Sequence, residues 1–315
     1  MLMYLSAAAG FVLLFGGGEF LVRGAVTVSR RLGLSPLLIG MTVVAWCTSA
    51  PELVVSLGAA LEGRSDIAVG NVVGSNIFNT LGVLGAAAVI APILVDPRSL
   101  RRDMSIMLGS SVALALVVAT GEIGRLPAAV LLVGLMLYVF LSYRSEARRP
   151  SVPSAALHEH ESAEIKATGS TMSGISYLAG GLVALVIGSR FLVVGASEIA
   201  RTFGVSEAVI GLSLVAVGTS LPELATSIIA ALRRHSDVAV GNVVGSNIFN
   251  ILGILGITAL VRPVGVAEQI ASLDVWVMVG ASLVMVPMLL WRGRISRPVG
   301  AVLLLAYVTY LMILF

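Results

Sequence analysis

The sequence predicts an all-α polytopic membrane protein with ten transmembrane helices in two inverted five-helix repeats. Three observations predict this fold class. Of the 315 residues, 57% are hydrophobic and only 12% are charged, with a mean hydropathy of +1.01, whereas soluble domains carry about 25% charged residues. Apolar runs reach the roughly 20 residues that a helix needs to cross a bilayer. The segment AVGNVVGSNIFN also occurs twice, 171 residues apart.

This duplicated segment belongs to a longer internal repeat. Residues 68–79 and 239–250 are identical, and residues 35–92 align with residues 206–263 without a gap, with more than half of the positions identical. The chain is therefore one half-unit used twice. In membrane proteins built this way, the functional site lies where the two copies face each other.

The first repeat is predicted to contain five helices. In helix 1, Glu19 and Arg23 have the spacing of an ion pair on one helix face. Helix 2 begins at Ser35, which is followed by proline, and Asp66 is expected to cap helix 3. Pro92 breaks the chain before helix 4. The predicted spans are 3–29, 35–61, 66–90, 100–120 and 126–143.

A hydrophilic segment then separates the two repeats. Residues 144–173 are rich in charge, serine, proline and histidine, which predicts a linker. The predicted domains are thus residues 1–143, the linker 144–173 and residues 174–315. The five helices expected in the second repeat are 174–200, 206–232, 237–260, 270–291 and 298–315.

Topology follows from the arginine and lysine residues of the predicted loops. Fourteen of them follow odd-numbered helices or lie in the linker, and four lie on the opposite side. This bias predicts that the linker lies in the cytoplasm and that both termini lie outside the cytoplasm. The chain is expected to be a multi-pass protein of the cell membrane. Because five is an odd number, the second repeat enters from the opposite side and the repeats are inverted.

Polar residues recur on one face of four predicted helices. In helices 2 and 7 the spacing is i, i+3, i+4, i+7, and in helices 3 and 8 it is i, i+4, so each set shares one face. In chain order these candidate ligands are Ala45, Thr48, Ser49, Glu52, Ser75, Asn79, Ala216, Thr219, Ser220, Glu223, Ser246 and Asn250.

These residue types suit a hard cation. Pro51 and Pro222 cannot donate to the carbonyl four residues back, so carbonyls are freed inside both helices. Carboxylate, hydroxyl, amide and carbonyl oxygens together favour ions such as Ca²⁺ and Na⁺. Glu52 and Glu223 have no basic neighbour in sequence, and an unpaired carboxylate in a membrane costs a few kcal/mol, which indicates function.

Other polar residues are explained at least as well by packing. Asn71, Asn76, Asn242 and Asn247 repeat with the same period, but amides in membrane helices often join one helix to another. Arg190 is also interpreted as structural, as are Glu19 and Arg23.

The repeated motifs of the chain resemble those of a known family. Its AVGTSLPE and GNVVGSNIFN segments, in two inverted copies, are similar to the α-repeats of the Ca²⁺/cation antiporter superfamily, and most similar to its prokaryotic sodium/calcium exchanger branch. The resemblance covers nearly the whole chain outside the linker. It implies an ion-binding core of helices 2, 3, 7 and 8, across which the long helices 1 and 6 slide.

The resemblance also implies a ligand set. The carbonyls of Ala45 and Ala216 would bind ions, together with side chains of Thr48, Ser49, Glu52, Ser75, Asn79, Thr219, Ser220, Glu223 and Ser246. Asn250 stands where family members often have an aspartate. Its amide oxygen can replace a protonated acid, which leaves two carboxylates, and two suffice to balance one Ca²⁺.

The function expected from these features is the expulsion of Ca²⁺ in exchange for Na⁺. A proton-coupled exchanger of Ca²⁺ or another divalent cation is the alternative, since buried carboxylates also bind protons. An ion channel and an intramembrane enzyme are two other classes of function. The sequence contains no Ser/His/Asp set that would favour an enzyme. The expected partners are membrane lipid and the transported cations, with no cofactor and no nucleic acid, and the chain is expected to act as a monomer.

Overall fold

A computed structural model of the chain describes residues 2–32, 36–147, 170–202 and 216–314. Some predicted features lie outside these ranges. They are Ser35 at the start of predicted helix 2, most of the linker, and residues 206–215 of predicted helix 7.

Six helices lie in the described part of the first repeat. We number helices in chain order and merge adjoining helical segments. They are α1 (Leu2–Leu32), α2 (36–48), α3 (Ala50–Leu61), α4 (Ser65–Ile90), α5 (Pro97–Val118) and α6 (Arg125–Ala147).

Six further helices lie in the described part of the second repeat. They are α7 (Thr171–Thr202), α8 (Ala216–Thr219), α9 (Leu221–Leu232), α10 (Ser236–Val261), α11 (Ile270–Leu290) and α12 (Arg297–Leu314). π-helical turns interrupt α2 at Gly40–Val44, α4 at Phe78–Val83, α10 at Phe249–Leu255 and the start of α11 at Ile270–Asp274.

Within the described residues, four strands of two residues each join the loops at the helix ends. Strand β1 (Ile93–Leu94) pairs antiparallel with β4 (Arg294–Ile295), and β2 (Glu122–Ile123) pairs antiparallel with β3 (Val264–Gly265). Each pair joins a loop of one repeat to a loop of the other. Because α5 runs from the first pair to the second, and its 22 residues span ~33 Å, the two small sheets lie at opposite ends of the helix bundle.

The helices have the length and composition of membrane spans. Seven of those described are long and apolar enough to cross a bilayer, and α2 with α3 forms an eighth candidate that is bent by 49°. Large apolar side chains face outward, as at Leu126, Leu305 and Met312, which are 78%, 65% and 76% exposed. Such an outer surface fits lipid rather than water.

Predicted helices 2 and 7 are not continuous, which corrects the sequence prediction. Helix 2 breaks at Ser49 between α2 and α3, and helix 7 breaks at Ser220 between α8 and α9. The physical reason is the proline at the second position of α3 and of α9, whose ring crowds the preceding turn and which has no N–H to donate.

Several helix starts also differ from the sequence prediction, and α7 begins at Thr171, inside the predicted linker 144–173. Helices α4 and α10 begin at Ser65 and Ser236, so Asp66 and Asp237 lie in the first turn rather than at the cap. There their negative charge complements the positive end of the helix dipole. Helix α5 begins at Pro97 instead of residue 100, because Asp96 caps it by accepting a hydrogen bond from the Arg98 N–H at 3.0 Å.

Helices α1 and α7 form a close antiparallel pair. Glycines at intervals of seven residues face one another across it, with Gly10 against Gly188, Gly17 against Gly181 and Gly24 against Gly174. Small residues on one face allow two backbones to approach within direct contact in a membrane.

Candidate cation site

The two helix breaks are buried and shape the site. The backbone at Ser49 has φ −81° and ψ 3°, and at Ser220 it has φ −91° and ψ 9°, values between the main allowed regions that recur at active sites. Each serine is buried, and so is the glutamate three residues further on.

The carboxylate of Glu52 is fully buried and is held by the second repeat. Its Oε1 accepts a hydrogen bond from Ser220 Oγ at 2.8 Å, and Ser220 Oγ also lies 3.1 Å from Ser75 Oγ. Its Oε2 has no hydrogen-bond partner within the described residues. A charged oxygen left in this way is costly unless something else binds it.

The carboxylate of Glu223 has the reciprocal arrangement. Its Oε1 accepts hydrogen bonds from Ser49 Oγ at 3.2 Å and from Ser246 Oγ at 3.4 Å, and its Oε2 has no partner in the described part of the chain. Each glutamate is therefore held by the serine at the helix break of the other repeat.

Two threonines also form hydrogen bonds to the other repeat. Thr48 donates to Asn242 Oδ1 at 3.1 Å, and Thr219 donates to Asn71 Oδ1 at 3.4 Å. Thr48 Oγ1 also lies 3.5 Å from Ser246 Oγ. Since residues 48 and 71 belong to one repeat and 219 and 242 to the other, both bonds cross between them.

The sequence analysis did not assign Asn71 and Asn242 to the site. Asn71 Nδ2 donates to the Glu52 carbonyl at 3.2 Å and to Ser56 Oγ at 2.9 Å. Asn242 Nδ2 donates to the Glu223 carbonyl at 3.3 Å and to Ser227 Oγ at 3.0 Å. Both amides thus connect the backbone of a glutamate to the threonine of the other repeat. Their recurrence at the repeat spacing was the signal that could have identified them.

The two predicted amide ligands lie in π-helical turns. Asn79 and Asn250 are fully buried within the turns of α4 and α10. Asn250 Nδ2 donates to Asn76 Oδ1 at 3.3 Å, while Asn250 Oδ1 and both side-chain polar atoms of Asn79 have no partner among the described residues. π-helical turns in α-helices are frequent at functional sites.

The backbone positions differ between the repeats. The Ala45 carbonyl accepts from the Ser49 N–H at 3.0 Å and from Thr48 Oγ1 at 3.3 Å. Ala216 begins α8, and the Ser220 N–H donates to the Val217 carbonyl instead. A cation on the Ala45 carbonyl would therefore compete with the Thr48 hydroxyl.

A second backbone difference concerns the carbonyl that Pro222 deprives of a helix donor. The Gly218 carbonyl accepts a hydrogen bond from Ser189 of α7. Position 18 of α1, which corresponds to Ser189, is a glycine. The freed carbonyl of the second repeat thus has a hydroxyl donor that the glycine at position 18 cannot supply in the first repeat.

The resulting cluster has the chemistry of a cation site. Two carboxylates, hydroxyls and amides from both repeats converge in the interior, and several of their oxygens lack a hydrogen bond within the described chain. Neutral oxygens around two negative charges are the ligands that hard cations prefer.

Comparison with known proteins agrees with this chemistry. The family described as "Sodium/calcium exchanger protein" matches residues 2–144 and 173–315. The chain is 40% identical to the putative antiporter CaxA of Alkalimonas amylolytica over 97% of this chain and 96% of that protein. It is 32% identical to the sodium/calcium exchanger MaX1 of Methanosarcina acetivorans over 99% of this chain and 98% of that one.

Solved structures give the same result. The fold superimposes on the sodium-calcium exchanger NCX_Mj soaked with zero Na⁺ and Ca²⁺ with a TM-score of 0.85 and 30% identity, covering 100% of this chain and 99% of that one. The protein is a transmembrane cation antiporter, and it belongs to the sodium/calcium exchanger family, in the prokaryotic branch of the Ca²⁺/cation antiporter superfamily.

Proposed function

We propose that this antiporter exchanges Na⁺ for Ca²⁺ by alternating access, with both ions bound at the midplane of the membrane. The observation that carries the proposal is the reciprocal pair of buried carboxylates. Glu52 and Glu223 each have one oxygen held by a serine of the other repeat and one oxygen without a partner in the described chain. A cation supplies the missing partner and offsets the cost of the two buried charges.

The proposed ligands are the residues expected from the sequence. They lie on α2, α3 and α4 of the first repeat and on α8, α9 and α10 of the second, with Ser49 and Ser220 at the breaks between helices. They are Ala45, Thr48, Ser49, Glu52, Ser75, Asn79, Ala216, Thr219, Ser220, Glu223, Ser246 and Asn250.

Coupling follows from competition for the same oxygens. One Ca²⁺ neutralises the two carboxylates, and Na⁺ ions bound to the same groups exclude it. Each ion therefore leaves before the other binds, and the gradient of one drives the movement of the other without covalent chemistry.

We further propose ten spans in two inverted repeats. The α2–α3 and α8–α9 pairs each count as one broken span, and residues 1–143 and 174–315 flank the linker 144–173. The strand pairs support inversion. Strand β1 and its counterpart β3, 171 residues later, belong to different small sheets, and these lie at opposite ends of α5.

Orientation is proposed from the basic residues of the loops. The β1–β4 end of the bundle carries Arg98, Arg101, Arg292, Arg294 and Arg297, all exposed, and is assigned to the cytoplasm together with the linker. Both termini are then extracytoplasmic. We propose that one chain is the transporting unit, because both half-sites are built within it.

The test is Na⁺-driven ⁴⁵Ca²⁺ uptake into proteoliposomes. Glu52→Gln and Glu223→Gln remove one charge each and are expected to reduce uptake to the level of protein-free liposomes. Glu122→Gln, on an exposed strand residue, is the matched control and is expected to transport normally. Undiminished exchange in both site variants would contradict the assignment.

The coupling ion is tested in the same vesicles. A Na⁺ gradient at clamped pH is expected to drive Ca²⁺ uptake. Uptake driven by a proton gradient alone, with no response to Na⁺, would show that the coupling ion is H⁺ and that the Na⁺ part of the proposal is wrong.

A further inference from the structure

One side of the candidate site is closed by α1. Leu14 and Leu21 of α1 pack with Leu221 and Ala225 of α9 in one apolar cluster. A second cluster contains Val22 and Val26 of α1 with Ile229 and Ala230 of α9. These two clusters, which we call the α1–α9 contact, bury the face of α9 beside Glu223.

An ion pair stabilises the α1–α9 contact at the C-terminal end of α9. Glu19 of α1 accepts from Arg233 Nε at 2.9 Å, and Arg233 Nη2 lies 2.8 Å from Glu19 Oε1. Arg233 caps the end of α9, and Glu19 is also paired with Arg23 on its own helix. The glutamate side chain is only 15% exposed. Two parallel hydrogen bonds from a guanidinium to a carboxylate form a strong and directional pair.

The equivalent face of α3 is open. Position 225 corresponds to Val54, which is 67% exposed, and position 229 corresponds to Gly58, where an added Cβ would meet nothing within 4 Å. A cavity of about 200 Å³ lies beside Ser49 and is lined by Val54 and Trp46. The molecule is therefore closed at α9 and open at α3.

The charges of the ion pair recur at the equivalent positions with their signs exchanged. Glu19 corresponds to Arg190 on α7, and Arg233 corresponds to Glu62 at the C-terminal cap of α3. In this state Glu62 is paired with Arg64 and Arg190 is exposed. On the long helices the first repeat has an acidic residue (Glu19) and the second a basic one (Arg190). At the helix caps the first repeat has the acidic residue (Glu62) and the second the basic one (Arg233). Each pair that links a long helix to a cap of the other repeat therefore joins opposite charges.

We propose that Arg190 and Glu62 pair in the opposite state of the transport cycle, in which α7 closes over α3 and the Glu19–Arg233 pair breaks. The inference rests on the proposed alternating access, in which inverted repeats exchange conformations. Each state then has one ion pair between the moving helices and the core, so neither state is stabilised at the expense of the other. The four residues position the helices and do not contact the ions.

The test measures opening at α3. A cysteine introduced as Val54→Cys, in a Cys47→Ala background, reports by its rate of maleimide labelling in detergent. Glu19→Gln removes the pair of the present state and is expected to slow labelling. Glu62→Gln removes the pair of the opposite state and is expected to accelerate it. Each single variant is expected to change the ratio of the two conformational states by up to about fivefold. The Glu19→Gln/Glu62→Gln double variant is expected to label at a rate close to that of Val54→Cys alone.

Cross-linking gives a second readout. In Glu62→Cys/Arg190→Cys, a disulfide needs the two Cα atoms within about 7 Å. It is expected to form, to slow Val54→Cys labelling and to block exchange until it is reduced. Glu19→Cys/Arg233→Cys is the matched control, which is expected to trap the state with fast labelling.

The outcomes separate this inference from the proposed function. If Glu19→Gln and Glu62→Gln shift labelling in the same direction, or neither shifts it, while the wild-type protein exchanges Na⁺ for Ca²⁺, the exchanged ion pair is wrong and the function stands. If the wild-type protein shows no Na⁺-driven Ca²⁺ uptake, the proposed function is wrong.

Discussion

At the scale of single residues, each half of the candidate cation site depends on the other repeat. Glu52 receives its hydrogen bond from Ser220, and Glu223 receives one from Ser49. A hydroxyl bonded to a carboxylate forms a charge-assisted bond, roughly twice as strong as a neutral one. A single repeat would therefore leave its glutamate without this donor, so the site exists only where the two repeats face each other.

We predict that Asn71 and Asn242 position the proposed ligands. Asn242→Ala removes the donor to the Glu223 carbonyl and to Ser227 and the acceptor for Thr48. Leaving buried polar groups unpaired costs ~1–3 kcal/mol each. The Ca²⁺ concentration for half-maximal uptake is expected to rise about tenfold, and Asn71→Ala should behave alike, as measured by ⁴⁵Ca²⁺ flux over a range of Ca²⁺ concentrations.

The control for these variants is a polar pair outside the site. Ser111 and Ser282 lie 3.3 Å apart and are buried. Ser111→Ala also removes a buried hydroxyl, so it should lower the melting temperature without changing the Ca²⁺ dependence. If the asparagine variants change only the melting temperature, their role is packing alone.

Sequence periodicity could predict which residues meet but not how they bond. Thr48, Ser49 and Glu52 share a helix face by spacing, and the internal repeat supplies the second set. Which oxygen receives which hydroxyl depends on where the broken helices cross, and that is a property of tertiary packing. For the same reason Asn71 and Asn242 were ambiguous, since an amide in a membrane helix can join helices or support a site.

At the scale of elements, irregular helix geometry coincides with the site. Helices that looked continuous in sequence break at Ser49 and Ser220, and π-helical turns contain Asn79 and Asn250. Pro51 and Pro222 could predict that the helices are distorted near Ser49 and Ser220, but not that the helices break there. Without a proline, no local signal marked the π-helical turns. Apolar length and periodicity nevertheless predicted most of the helices to within a few residues, because crossing a bilayer fixes both.

The glycines between α1 and α7 lead to a prediction about stability. A Cβ at Gly181 would lie 2.8 Å from the Gly17 carbonyl oxygen and also against the Leu21 backbone, whereas at Gly180 it would meet nothing within 4 Å. Gly181→Ala is expected to destabilise the protein by ~1–3 kcal/mol through overpacking, read as a lower melting temperature in detergent.

Gly180→Ala is the control for this prediction. It adds the same methyl group one residue away, on an exposed position, and alanine is the better helix former. It should leave the melting temperature unchanged or slightly raised. Equal effects of both variants would mean that the close approach of the two helices is not required.

At the scale of the whole molecule, the hydrogen bonds around the two glutamates are nearly symmetric, but the packing of the long helices α1 and α7 against α9 and α3 is not. Hydrogen bonds around Glu52 have counterparts around Glu223, yet α1 closes over α9 while α3 stays open beside Ser49. The proposed alternating access needs this combination, since one site would face either side of the membrane depending on which helix covers it. The repeat in the sequence could predict the symmetric part. The asymmetric part belongs to one conformational state, and a repeat by itself does not specify which state is populated.

The proposed span at α5 predicts opposite accessibility for the loops at its two ends. Leu94 of β1 is 61% exposed at one end of α5, and Glu122 of β2 is exposed at the other. In a Cys47→Ala background, Glu122→Cys is expected to react with a membrane-impermeant maleimide on intact cells, because loops poor in arginine stay outside. Leu94→Cys should react only after the membrane is permeabilised, because arginine-rich loops stay in the cytoplasm. Labelling of both on intact cells would contradict a span at α5, and the reverse pattern would keep the span but invert the proposed orientation.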